Sequence, residues 1–376
     1  MFSLHIDTAR TWRGGQNQVR LTVLGLRARG HRAALVAHPD GELRSRMTEG
    51  LDVYPLAPRA EVNLRAAWQL SRLLRQLKPV LIHAHDAHGV AFAALARSMA
   101  GGPSPPRFVA ARRVDFHIGT HALSRWKYRQ VERFVCASAC IQSMLIADGI
   151  PAARTTVVRD GIDLEHVTAA TPLNVHNELW LPHDAPIVGN VAALVPHKGQ
   201  RYLIDAAARV VRAVPDARFV IVGEGELAAT LQRQVRHLGL EKHVFLMGFR
   251  PDVLSLLKSF DLYVMSSTTE GLGTSALDAM ACGRAVVATR AGGLVEVVVD
   301  GKTGLLVPTR NHDALSDAII RLLQDTALRE QYGRAGLARV HRDFNADRMI
   351  DETLQVYADL VGTRHARGTV RHAAAD

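Results

Sequence analysis

The 376 residues are enough for two domains of ordinary size, and 48% apolar with 22% charged residues exclude a disordered or fibrous chain. Only three cysteines, Cys136, Cys140 and Cys282, exclude a disulfide framework and fit a reducing compartment. The net charge of +10 is lopsided: residues 1–180 hold 23 Lys and Arg against 14 Asp and Glu, whereas residues 181–376 hold 23 against 22.

A basic half suggests attraction to something anionic. There is no recognisable nucleic-acid motif and only 5% of residues are aromatic. An anionic membrane surface or a lipid-linked acceptor therefore ranks above nucleic acid, and a merely solvated arginine-rich surface stands beside them. No run approaches the ~18 apolar residues of a membrane span. The opening MFSLHIDTARTWRGG lacks the basic lead and long apolar core of a signal peptide. The expected location is cytoplasmic, with peripheral attachment at the inner face of the cytoplasmic membrane as a candidate.

Short apolar runs alternate with amphipathic segments from the start. Strands are expected over 2–6, 32–37, 79–83, 108–111, 133–137 and 155–159, and helices over 14–30, 63–77 and 89–100. The stretch 165–186 holds three prolines and no clear period, and reads as a linker. The rhythm then restarts. Strands are expected over 186–193, 218–222, 243–247, 261–265, 285–288 and 305–307. Helices are expected over 199–213, 227–238, 275–281, 314–323 and 347–360. This βαβα order implies two doubly wound parallel sheets in tandem. The expected domains are 1–168 and 187–345, joined by a linker over 169–186. A C-terminal helix over 346–362 packs back on the first domain, and a frayed tail covers 363–376.

One stretch stands out, TTEGLGTSALDAMACG at 268–283. Glycines at 271 and 273 let backbone approach a ligand closely. Amides at Gly273, Thr274 and Ser275 sit where a helix start favours a diphosphate. A plain alternative exists: Ser275-Ala-Leu-Asp278 has the form of a capping box.

Context favours a ligand. Residues 266–308 resemble the nucleotide-sugar signature of the family 4 glycosyltransferases through Glu270, Ala279-Met280-Ala281-Cys282-Gly283, Gly292-Gly293, Glu296, Asp300-Gly301 and Thr303-Gly304. Arg13-Gly14-Gly15, Asp160-Gly161-Ile162-Asp163, Leu194 to Gly199, Val222 to Gly225 and Met247-Gly248-Phe249 resemble further landmarks of that family in order. The resemblance implies a GT-B fold, two Rossmann-like domains facing across a cleft. It also implies a retaining transfer from a UDP- or GDP-sugar to a glycan or lipid-linked acceptor, in polysaccharide or lipopolysaccharide synthesis. Other enzymes of the same fold, epimerase or phosphorylase, and a non-catalytic sugar-nucleotide-binding subunit stand as alternatives.

By the same resemblance, Lys198 neutralises the leaving diphosphate and Glu270 holds hydroxyls of the transferred sugar. Thr274 and Ser275 bind the diphosphate through their amides, and Asp278 binds the ribose. Phe249 and Arg250 border the base, and Gly14, Gly15, Gly223, Gly271 and Gly273 allow backbone to approach the donor. No Asp-x-Asp motif lies in a suitable place, so neither metal nor other cofactor is expected. Three departures stand out. The family's Arg ahead of the Lys is missing near Ala193, and Arg250, Arg290 and His197 are candidates to replace it. Asp278 stands for Glu. Arg113 takes the place of a family His, with His117 further along. The acceptor-side candidates are His85, Arg113 and His117. The cluster His83-Ala84-His85-Asp86, with His88, does not match a zinc helix motif and reads first as an acceptor-facing rim.

Overall fold

The computed structural model describes residues 1–47, 50–57, 63–102, 104–119 and 121–372, with side chains to residue 362. The chain divides into two compact units, Met1–Gly161 with the residues from Ala346 onward, and Ile162–Asn345.

The first unit holds a seven-stranded parallel sheet. Its strands are β1 (Phe2–Asp7), β2 (Arg32–Ala37), β3 (Val53–Pro55), β4 (Leu81–Ala84), β5 (Arg107–Arg112), β6 (Arg133–Cys136) and β7 (Thr155–Val157), in the order β3-β2-β1-β4-β5-β6-β7. The order reverses between β1 and β4, the place where open α/β sheets leave a crevice at the carboxyl ends of their strands. Strand faces such as Leu35, Leu81 and Val109 pack against Val19, Val23 and Leu26 of the helix Gly14–Ala28. The helix Ala346–His372 closes this unit. A Cβ on Gly25 would lie 2.1 Å from Ile350 Cδ1, so glycine lets the two helices touch. Arg29 pairs with Asp347 at 2.9 Å and Asp351 at 2.6 Å.

The second unit holds β8 (Ile187–Val191), β9 (Arg218–Val222), β10 (Val244–Leu246), β11 (Leu262–Met265), β12 (Ala285–Thr289) and β13 (Gly304–Val307), all parallel, in the order β10-β9-β8-β11-β12-β13. The reversal here lies between β8 and β11. Leu203, Ile204 and Val210 of the helix Gln200–Ala213 pack with Val188, Phe219 and Ile221 of the strands.

Twelve expected strands lie within two residues of observed ones. The edge strand β3 has only three residues and left no periodic signal. The stretch 169–186 is not bare linker. It carries the helix Val175–Glu178, and Leu173 N donates to Ser255 O at 3.2 Å, which ties it into the second unit. Of the expected tail, 363–372 continue the C-terminal helix and 373–376 lie outside the described residues. Cys136 is buried, and burial pushes its thiol up to about 12; Cys140 is exposed. No helix among the described residues is long and apolar enough to cross a membrane.

Candidate active site

In the second unit, the carboxyl ends of β8 and β11 carry the expected groups. After β8 the chain makes a tight turn at Pro196–Lys198 and enters the helix Gln200–Ala213 through Gly199, whose φ is 67°. A Cβ there would lie 2.2 Å from Ser266 O, so only glycine lets this turn press against the end of β11. Hydrogen bonds then join the two turns: Ser266 Oγ donates to Lys198 O at 3.1 Å, and Thr268 N donates to His197 O at 2.7 Å.

This contact brings Lys198 and Glu270 together. Lys198 Nζ donates to Glu270 Oε2 at 2.6 Å, and Ser267 Oγ donates to the same oxygen at 3.0 Å. The two side chains are 18% and 11% exposed, so the pair is shielded but reachable. The Glu270 turn is clamped from below. Gly293 N donates to Glu270 O at 2.9 Å, and a Cβ on Gly292 would stand 2.0 Å from that same oxygen.

The helix Thr274–Ala281 begins at Gly273, with φ 96°, and no side chain caps it. The capping box Ser275–Asp278 is therefore not formed. Ser275 Oγ instead accepts from Tyr263 OH at 2.9 Å. The amides of Gly273, Thr274 and Ser275 find no acceptor among the described residues. The carboxyl of Asp278 has no hydrogen-bond or ion-pair partner among them either, and burial pushes it up to about 7. Helix dipole and open amides thus converge with Lys198 on a region able to hold negative charge.

Other expected donor residues divide. Gly223 has φ 141°, and a Cβ on it would strike Ala192 O at 2.0 Å, so its role is close packing of the ends of β8 and β9. Gly271 is buried against Gly293, whose Cβ would meet Gly271 O at 2.3 Å. Phe249 is 48% exposed behind Gly248. Arg250 is already held by Asp252 and Glu178, and Arg290 pairs with Asp300 at 2.6 Å, so neither is a free substitute for the missing arginine at Ala193. Sequence reasoning missed Ser267 and Tyr263, which orient Glu270 and the helix start; neither lies in a pattern of its own.

In the first unit, Gly14 and Gly15 open the helix after β1, and a Cβ on Gly15 would meet nothing within 4 Å. His85 and Arg113 come together: Arg113 Nη1 and His85 Nδ1 are 3.2 Å apart, and Arg113 Nε donates to Asp160 Oδ1 at 2.8 Å. His117 does not join them. It is 74% exposed and lies 2.6 Å from Asp148. His85 instead meets His5, their Nε2 and Nδ1 atoms 3.0 Å apart, and the His83 and His85 ring centres lie 4.1 Å apart. Ligating nitrogens of His5, His83 and His85 all lie within 4.8 Å of one another. Burial lowers all three, His5 to about 3, with Arg113 adding to the effect. Asp7, at the end of β1, is raised to about 6 by burial and by Asp86.

Two family models cover most of the chain: Glycosyltransferase Family 4 over residues 12–166 and Glycosyl transferases group 1 over 174–339. A GDP-mannose-dependent monoacylated alpha-(1-6)-phosphatidylinositol monomannoside mannosyltransferase of Corynebacterium glutamicum is 34% identical over 197 residues, 49% of this chain and 51% of that relative, so the match spans about half the relative's length. A UDP-Gal:alpha-D-GlcNAc-diphosphoundecaprenol alpha-1,3-galactosyltransferase of Escherichia coli is 24% identical over 315 residues, 80% of each chain. Anabaena HepE, solved with UDP and glucose, superposes with a TM-score of 0.84 at 22% identity, covering 96% of this chain and 100% of that one. The chain belongs to the family 4 glycosyltransferases and has their GT-B pair of parallel-sheet domains.

Proposed function

We propose that the protein is a retaining glycosyltransferase that moves a sugar from a nucleoside diphosphate sugar to a glycan or lipid-linked acceptor. The observation that carries this is the Lys198–Glu270 pair standing beside open amides at a helix start. Cleaving a sugar–phosphate bond builds negative charge on the leaving diphosphate and positive character on the sugar. Preorganised donors aimed at the first lower the barrier. Lys198 and the amides of Thr274 and Ser275 take the diphosphate charge. Glu270 holds sugar hydroxyls, and Asp278 the ribose. Phe249 and Arg250 border the base. Gly14, Gly15, Gly223, Gly271 and Gly273 shape the backbone that approaches the donor. Arg113 and His85 serve the acceptor side together, and His117, beside Asp148, serves it separately. These donors supply the charge neutralisation that a metal gives elsewhere, so turnover is expected to survive chelation.

Relatives support the substrate classes. The names of two of them state a GDP-mannose and a UDP-galactose donor, and acceptors carried on a phosphatidylinositol and on diphosphoundecaprenol. HepE binds UDP. The test is a panel of UDP- and GDP-sugars, followed by nucleoside diphosphate release and product analysis. Release with a new glycosidic bond supports transfer. A converted sugar nucleotide without such a bond indicates epimerisation, and binding without turnover indicates a non-catalytic subunit.

We also infer contact with an anionic membrane surface. The helix Leu64–Leu77 exposes Leu64 at 64% and Trp68 at 47%, next to outward Arg65, Arg72 and Arg75, and it carries no acid. Such a face suits anionic headgroups. Co-sedimentation with phosphatidylglycerol vesicles, but not phosphatidylcholine vesicles, is expected.

A further inference from the structure

Arg113 follows β5 at the carboxyl edge of the first sheet, and its side chain is 15% exposed. Two of its nitrogens are engaged, Nε by Asp160 and Nη1 by His85, while Nη2 has no partner among the described residues. What holds His85 is legible from hydrogen-bond chemistry alone. An arginine only donates. Nη1–H therefore meets a lone pair on His85 Nδ1, which leaves the imidazole hydrogen on Nε2. That hydrogen donates to His5 Nδ1 at 3.0 Å. The hydrogen of His5 then lies on Nε2 and donates to Ser3 Oγ at 3.0 Å. The chain runs one way, from Arg113 through His85 and His5 to Ser3.

His83 completes the floor. Its Nδ1 lies 2.6 Å from Tyr357 OH, and its Nε2 is buried without a partner. Tyr357 has no other acceptor among the described residues, so donation from its hydroxyl to Nδ1 leaves one unpaired group rather than two. All three rings then carry their hydrogen on Nε2 and spend their lone pair at Nδ1. Three histidines with committed lone pairs make a poor cation site, despite their spacing. They make a rigid, neutral support for one guanidinium.

The surroundings favour an anion at the open edge of that guanidinium. From Arg113 to Arg129 the chain carries four Lys and Arg against Asp115 alone, and Asp7, the carboxylate that interacts with Arg113 from β1, already accepts from Ala9 N and Gln16 Nε2. Asp86 is occupied as a helix cap, accepting from Gly89 N and from Thr8. Asp160 is buried and already paired. A guanidinium fixed by two buried partners loses little freedom on binding, and its planar fork matches phosphate oxygens.

We propose that Arg113 is an anion-binding side chain that takes a phosphate oxygen of a substrate through its open edge, and that Asp160, His85 and His5 are positioning residues for it. The inference rests on the proposed transfer reaction, in which phosphate arrives either on the nucleoside diphosphate or on the acceptor. The test measures binding of UDP, uridine and inorganic phosphate to the full chain by calorimetry. It compares the wild type with Arg113→Gln, Arg113→Lys, His85→Leu and His85→Gln, each checked for an unchanged melting temperature. A loss of about tenfold or more is expected for one charge-assisted contact. Weaker UDP with unchanged uridine in Arg113→Gln assigns the oxygen to the nucleoside diphosphate. Unchanged UDP with lost inorganic phosphate assigns it to the acceptor. Binding of both ligands by Arg113→Gln as by the wild type overturns the proposal. Arg113→Lys is expected to remain weak, because an ammonium cannot span His85 and Asp160 in one plane.

The positioning role has its own readout. His85→Leu removes the acceptor and is expected to weaken phosphate as Arg113→Gln does. His85→Gln restores an accepting oxygen and is expected to recover most of the loss. Equal binding by the two His85 variants overturns that role. Nucleoside diphosphate release by Arg113→Gln with wild-type kcat and KM would sink the inference and leave the transfer reaction standing. A wild type that turns over no donor yet binds phosphate through Arg113 would do the reverse.

Discussion

The ammonium of Lys198 lies 2.6 Å from the carboxylate of Glu270, across two turns that glycines alone allow to meet. In the proposed reaction this contact must loosen when a diphosphate arrives, because the lysine has a better-placed charge to neutralise and the glutamate has hydroxyls to hold. Lys198→Ala and Glu270→Ala are each expected to lower turnover about a hundredfold, the scale of losing one transition-state stabiliser. Nucleoside diphosphate release under saturating donor checks this. Wild-type turnover in either variant would remove that residue from the mechanism.

Asp278 yields a prediction whose sign is opposite to that of most acids. Burial raises its carboxyl from 3.8 to about 7, so the folded chain holds a proton that the unfolded chain releases. Stability is therefore greatest below that window and falls as pH rises through it. Asn cannot ionise. Asp278→Asn is expected to gain in melting temperature relative to the wild type as pH rises from 4 to 8, with the difference levelling off above 7. Parallel curves for the two proteins would show that Asp278 is not the group responsible.

Much of the fold was legible because β-strands in parallel sheets are buried on both faces and read as short apolar runs. The helix Thr326–Asp343 was not, because Gly333 and Gly336 interrupt its pattern. The structure gives their reason: a Cβ on Gly333 would lie 2.2 Å from Gly283 O. The site was legible as a string of landmarks but not by role. Glu270 and Lys198 lie 72 positions apart, and only the fold shows their contact. The Gly292-Gly293 and Asp300-Gly301 landmarks, read as part of a nucleotide-sugar signature, turn out to hold backbone. The first pair supports the Glu270 turn, and Asp300 Oδ1 accepts from Leu306 N at 2.9 Å. The His85–His5–Ser3 chain joins residues with no sequence motif between them.

Gly292 supplies a direct test of that structural reading. Its φ is 47°, and a Cβ would stand 2.0 Å from Glu270 O, which must move. Left-handed backbone costs an ordinary residue about 1–2 kcal/mol, and overpacking adds about 1–3 kcal/mol. Gly292→Ala is expected to lower the melting temperature and to weaken UDP binding together, since the displaced turn leads into the open amides of Gly273, Thr274 and Ser275 proposed to hold the diphosphate. Calorimetry and thermal melting check both. A folded variant with normal affinity would show that the Glu270 turn tolerates displacement.

The two units should also respond to acid in opposite directions. In the first, His5 is lowered from 6.5 to about 3 by burial and by Arg113, so it stays neutral while the unfolded chain takes up a proton. That contribution is fully present above 6.5 and is lost as pH falls toward 3; His83 and His85, also lowered by burial, add to the loss, and outweigh the single carboxyl of Asp7, which is raised to about 6 and acts the other way. In the second, Asp278 contributes more as pH falls from 7 toward 3.8. Native-state hydrogen exchange resolves the units separately because local openings report local stability. Corrected for intrinsic exchange rates, amides of β1 and β4 are expected to lose protection between pH 6.5 and 5, while those of the helix Thr274–Ala281 hold or gain it. Loss of protection in both places at the same rate would mean that neither buried group governs the acid response of its unit.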